Sequence, residues 1–251
     1  MKINASSAVA LTRHIELSDK STQKDGRDAI VRRNWFINPD EHEGLAAYRI
    51  EIPEAGSIAA PHFHTQDQFQ VFVDCPGAWL GADALQPVMV QYADACSPYG
   101  PIVGGPQGVA FFVFRLMKDQ GAFVMPESRG SMTKKPGRIV LAHLPDAAEP
   151  VPAGGVQALE APHADGLAIF RLAAGPGGRV VAPSPASGGG QYVLIASGAA
   201  RSGDEVLPAR SCLFVSPDEA ALEITAGSEG FNAVLLQFPK QSWAARLAAA
   251  H

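Results

Sequence analysis

The chain repeats itself. Residues 44–61 read GLAAYRIEIPEAGSIAAP and residues 166–183 read GLAIFRLAAGPGGRVVAP, and the two align without a gap at an offset of 122. Gly44/Gly166, Leu45/Leu167, Ala46/Ala168, Arg49/Arg171, Gly56/Gly178, Ala60/Ala182 and Pro61/Pro183 are identical, and Tyr48/Phe170 and Ile50/Leu172 are alike in kind. At the same offset the apolar run Ala110-Phe111-Phe112-Val113-Phe114 falls on Asn232-Ala233-Val234-Leu235-Leu236, so both ends of the unit keep register. A repeat of this length is the size of one domain. The expected organisation is therefore two copies of one fold, an N-terminal domain over residues 1–145 and a C-terminal domain over 146–251.

Each copy reads as short strands. Val71-Phe72-Val73 and Tyr192-Val193-Leu194-Ile195 are β-branched and aromatic runs that stop at Pro76-Gly77 and Ser197-Gly198, the punctuation of strand ends. The 25 glycines and 20 prolines fit many turns, and 47% apolar with 18% charged residues gives a folded core rather than a disordered chain. Between the copies, Met117 to about Pro152 carries several Gly and Pro and reads as a linker with one bridging strand at Ile139-Val140-Leu141. Apolar residues four apart in Trp243-Ala244-Ala245-Arg246-Leu247 predict a short docking helix.

Charge and special residues narrow the function. A net charge of −5, with Lys and Arg clustered only in pairs such as Arg32-Arg33 and Lys134-Lys135, argues against a nucleic-acid partner. No apolar run reaches the ~18 residues of a membrane span, and the N-terminus lacks a signal-peptide core, so no membrane partner and a cytoplasmic location are expected. Cys75, Cys96 and Cys212 are odd in number and widely spaced, which suits free thiols. Glycine pairs such as Gly104-Gly105 lack the strand-to-helix setting of a phosphate or dinucleotide loop, and no serine-nucleophile elbow is present.

The one concentrated chemical signal is GSIAAPHFHTQDQFQVFVDCPG at residues 56–77. It resembles the first motif of the cupin superfamily: Gly56 is followed after five residues by His62-Phe63-His64, and the acid that usually comes next is replaced by Gln68, or by Gln70 counting back from Gly77. Pro98-Tyr99-Gly100 resembles the turn of the second motif, with Val103 where its histidine belongs. In the second copy Ser184 and Ala186 replace the histidines, Gln191 falls near the acid position, and Pro217-Asp218-Glu219 with Leu222 marks the second motif. The resemblance implies an all-β bicupin, two tandem jelly-roll β-barrels (double-stranded β-helices), with the site in the first and an erased one in the second.

Strand residues two apart share a face, so His62 and His64 aim together while Phe63 points away. The expected metal site is His62, His64 and Gln68, with Gln70 as the alternative, for Fe, Mn, Ni or Zn. Gln70, Cys96 and Tyr99 are expected to line the pocket. His42, in the acidic segment before the first repeat strand, is a candidate replacement ligand. Neutral ligands leave a dication's charge uncompensated, so a small anionic molecule is the expected partner. Arg49 and Arg171 recur in both copies and are expected to be structural. Three classes of function stay open: a small-molecule-binding bicupin, a metal-dependent dioxygenase, isomerase or lyase, and a structural or storage-type cupin. Association into a homodimer is expected from exposed strand edges.

Overall fold

In a computed structural model the described residues are 1–86 and 88–242, and the helix expected over Trp243–Leu247 lies outside them. The chain divides into two compact units, one of residues Arg13–His143 and one that joins Met1–Thr12 to Leu144–Gln241. Among the described residues no helix is long and apolar enough to cross a membrane. All three cysteines are buried and none is in a disulfide.

The unit of residues 13–143 is built on one 11-stranded sheet. Its centre runs, neighbour to neighbour, through Met89–Ala93, Gln68–Asp74, Val109–Arg115, Ala46–Ile52, Arg27–Ile37 and Ile15–Lys24, all antiparallel. Period-two alternation sets what lies inside. Tyr48, Ile50 and Ile52 join Val109, Phe111 and Val113 in one core cluster, while the intervening Arg49 turns out to pair with Glu51 at 2.8 Å. The motif glycines sit where a side chain would strain the turn, Gly56 at φ +65° and Gly77 at φ +71°.

The segment expected to be a linker belongs largely to this unit. Ile139–His143 adds an edge strand to Met89–Ala93, and Phe123–Val124 pairs with His62–Phe63, drawn there by Phe123 stacking on Phe63 with centroids 5.1 Å apart.

The second unit is an 8-stranded sheet in which Cys212–Val215, Gln191–Ser202, Glu223–Gln237 and Ala168–Ala174 lie side by side. Residues 1–12, expected in the first barrel, belong here instead: Lys2–Ala5 supplies backbone partners to Cys212–Val215, Lys2 facing Val215 and Ala5 facing Cys212. The core is apolar, with Phe170, Leu172, Val193, Ile195, Leu213 and Leu235 in one cluster. Arg171 is buried and donates to Asn232 at 2.9 Å and to the carbonyls of Pro150, Asp146 and Glu149 at 3.2, 3.3 and 3.1 Å. It ties the entering segment to the sheet.

Candidate functional site

The two motif histidines face the interior of the first barrel together. Their ring centroids are 5.2 Å apart, and both line a cavity of about 710 Å³, within the ~300–1,000 Å³ range of small-molecule sites. The second-motif turn is fastened to them: the amide of His62 donates to the Tyr99 carbonyl at 3.1 Å, and Tyr99 N–H donates to the His62 carbonyl at 3.0 Å. Phe63 points the other way, onto Phe123.

Each imidazole has one nitrogen committed. Nδ1 of His62 donates to the Ala60 carbonyl at 2.7 Å, and Nδ1 of His64 lies 2.6 Å from Asp119 Oδ2. Asp119 also accepts from Thr65 N–H at 3.1 Å, the Thr65 hydroxyl at 3.1 Å and Gly121 N–H at 2.9 Å. Burial by itself would raise the Asp119 pKa, but the His64 hydrogen bond and the Arg115 charge outweigh it and hold the carboxyl well below its usual range. Arg115 Nη2 also lies 3.1 Å from His64 Nδ1, but the contact to Asp119 is much the shorter and an ionised carboxylate only accepts, so the His64 proton resides on Nδ1. Burial, reinforced by Arg115, depresses His64 to about 3, and burial lowers His62 as well. At neutral pH both rings are uncharged and keep on Nε2 a lone pair that can accept a hydrogen bond, which no described residue occupies.

Gln68 has another role than the one its place in the motif suggests. Its Oε1 accepts from Arg115 Nε at 3.1 Å and Nη2 at 2.6 Å, and its Nε2 donates to the Tyr99 hydroxyl at 2.6 Å. Arg115 further donates to the Tyr48 hydroxyl at 2.8 Å and stands 3.4 Å from Asp119. A buried guanidinium thus occupies the oxygen that was expected to bind metal. Two neutral imidazoles beside that fixed positive charge do not fit a resident dication, which needs anionic or further donors to offset the loss of its water. Among the described residues no cluster of three His, Cys, Asp or Glu side chains has metal-holding geometry.

The remaining expectations separate. Gln70 lines the cavity and its Oε1 is buried without a hydrogen-bond partner. Tyr99 supports the site from behind, its ring 4.7 Å from that of His62, and burial raises its pKa so that the phenol stays protonated. Cys96 adopts φ +60° at the turn, donates its N–H to the His64 carbonyl at 2.7 Å and turns its sulfur toward Thr133, away from the cavity lining. His42 is not among the lining residues, although Asn38, Pro39 and Asp40 of the same segment are.

Sequence reasoning missed Arg115, Asp119 and Arg33. Arg33 lines the cavity with its guanidinium 4.9 Å from the Tyr48 ring and 5.4 Å from the Trp35 ring, and its Nε is buried without a partner. Lys20, Arg33, Arg115 and Lys118 outnumber Asp19, Asp40 and Asp119 in the lining, a net positive charge inside a chain whose total is −5.

No family model and no curated protein sequence matches the chain. Solved structures do. A candidate dioxygenase from Nostoc punctiforme superposes with a TM-score of 0.61 at 13% identity, over 96% of this chain and 84% of that one. An oxalate decarboxylase variant from Bacillus subtilis gives 0.56 at 15% identity, covering 99% and 80%. The 11S allergen of Cocos nucifera gives 0.55 at 15% identity, covering 92% and 90%. Identities this low speak for fold alone: the chain shares with these proteins an all-β fold of jelly-roll barrels, two in one polypeptide.

Proposed function

We propose that the barrel of residues 13–143 is a binding site for a small anionic molecule, held by fixed guanidinium charge and neutral imidazoles without a resident divalent metal. One comparison carries the reading: the two barrels share a fold, yet their interiors differ in polarity at equivalent positions. Arg33 faces Ile50 as Val156 faces Leu172. Gln70 faces Val113 as Val193 faces Leu235. His62 and His64 align with Ser184 and Ala186, and Tyr48 with Phe170.

The second barrel therefore builds the same architecture without these groups. Buried polar groups left unpaired each cost about 1–3 kcal/mol, and folding has no need of them. Their retention in one barrel is accounted for by a ligand that completes their hydrogen bonds. The positive lining selects an anion, and Ile50, Ile52, Phe111 and Val113 give the cavity apolar walls beside it.

Thermal denaturation of untagged protein in EDTA tests the reading. The panel consists of small carboxylates, hexanoate and gluconate among them, each set against its neutral amide. A rise in melting temperature with carboxylates and not amides is expected, since a ligand stabilises the state that binds it. Stabilisation that appears only when a divalent metal is supplied, or no preference for carboxylates, overturns the proposal.

A further inference from the structure

The unpaired groups of the cavity are not alike, and their kinds constrain the ligand beyond its charge. Nε2 of His62 and Nε2 of His64 are acceptors, because both Nδ1 atoms already carry and donate the ring proton. In the lining of the same cavity the Gln70 amide, 3% exposed, has an oxygen with no partner. Gln91, its direct cross-strand neighbour, is likewise unpartnered at Nε2. That nitrogen is a donor, but Gln91 is not among the cavity-lining residues, so the unpartnered groups of His62, His64 and Gln70 that the lining presents are acceptors.

Arg33 supplies the opposite need. It is a guanidinium with a buried, unpartnered Nε, set against the faces of Tyr48 and Trp35. The acids lining the same cavity are committed elsewhere: Asp19 accepts from Ser21 at 2.9 and 2.7 Å, Asp40 pairs with Lys118, and Asp119 serves His64 and Thr65. Arg33 is left to bind an anion from outside the chain, and its planar fork matches a carboxylate.

Resting on the proposed anion-binding role, we infer that the ligand is a hydroxylated carboxylate. Its carboxylate pairs with Arg33 against the aromatic pair, and its hydroxyl groups donate to His62 Nε2, His64 Nε2 and the Gln70 amide. A plain fatty or aromatic acid would satisfy Arg33 and leave three acceptors bare. A neutral sugar would do the reverse. Only a molecule with both features removes every unpaired group at once, and sites built around buried hydrogen-bonding groups discriminate strongly against ligands lacking the complement.

Calorimetric titration of the full chain in EDTA with gluconate, hexanoate and glucose tests this. Gluconate is expected to bind at least tenfold more tightly than either of the others. Arg33→Gln should bring gluconate down to the level of glucose. Gln70→Leu should weaken gluconate several-fold while raising the melting temperature of the free protein, which a merely structural glutamine would not do. Hexanoate binding as tightly as gluconate overturns the hydroxyl assignment and leaves the anion site standing. Glucose equal to gluconate removes both. Should none of the three bind, the inference fails, and the carboxylate and amide panel reports separately on the broader reading.

Discussion

Arg115 and Gln237 stand at the same point of the two barrels. Arg115 faces Ala46 across the sheet and Gln237 faces Ala168, and each meets a glutamine from the neighbouring strand, Gln68 in one case and Gln191 in the other. In the second barrel the contact is amide to amide at 2.9 Å, with Gln237 passing its own N–H to the Gly166 carbonyl at 2.6 Å. In the first it is guanidinium to amide, and the added charge reaches Asp119 and His64. One side chain thus separates a closed polar plug from an electrostatically organised site.

The first prediction follows from that difference. Arg115→Gln gives the first barrel the residue of the second. Arg115 is the second influence holding His64 down near 3, after burial itself, so its removal leaves the upward pull of the Asp119 carboxylate opposed by burial and by His62 only. The His64 pKa is expected to rise by at least one unit, read from the pH dependence of imidazole nitrogen shifts by NMR, with the Nδ1–H form retained. Stability should fall by about 1–3 kcal/mol, because Tyr48 and Asp119 lose a buried charged donor. An unmoved His64 titration would show that burial alone sets it.

The second concerns acid. His62 and His64 are neutral in the fold, whereas an unfolded histidine titrates near ~6.5. The folded values are depressed, so between the two pKa values the unfolded chain binds more protons. Stability is therefore complete above the unfolded value and declines as pH falls toward the folded one. Going from pH 7 to pH 5, His64 alone should cost about 2 kcal/mol of unfolding free energy, measured by urea denaturation of the first unit at each pH. His64→Gln should flatten that dependence by a similar amount. Equal slopes for the two proteins would contradict the buried neutral state.

How much of this was readable in advance follows the range of each interaction. The 122-residue offset and the two-residue alternation are local or self-referential patterns, and they carried the fold and the pair His62/His64. The environment of Gln68 was not readable, since a glutamine at a ligand position looks the same whether its oxygen faces a metal or Arg115, 47 residues away. Asp119 lay in what read as linker. Arg32-Arg33 counts in the sequence only as a short basic pair, yet alternation sends one residue each way: Arg32 meets Glu16 at 2.9 Å on the exposed side while Arg33 enters the cavity. The apolar match between the copies ends at Phe114 and Leu236, one residue before Arg115 and Gln237, where they diverge in charge.

A third prediction uses the second barrel as a template for stability. Gln91 is 1% exposed with its Nε2 unpartnered, and the equivalent position, opposite Val193, holds Leu213. Gln91→Leu removes a buried amide donor without opening a large void. The variant should be as stable as the parent or more stable by about 1 kcal/mol in urea denaturation. A loss of about 1–3 kcal/mol would mean instead that Gln91 and Gln70 satisfy one another across the strands.

The fourth prediction separates two arginines that the sequence presents as a matched pair. Arg49 is 15% exposed and bonded to Glu51 and Asp74, a setting in which ion pairs contribute ~1 kcal/mol or less. Arg171 is 2% exposed and its partners are one side-chain amide and three backbone carbonyls. No carboxylate shares its charge in those contacts, so the hydrogen bonds themselves hold residues 146–150 against the sheet. Arg49→Met should change stability by less than ~1 kcal/mol, and Arg171→Met should cost about 2–4 kcal/mol, with bared carbonyls and a lost anchor. Hydrogen exchange locates the damage: amides of Ala168–Ala174 and Glu223–Gln237 should lose protection in Arg171→Met while those of Ala46–Ile52 keep it, and equal loss in both sets would refute a clamp confined to the second unit.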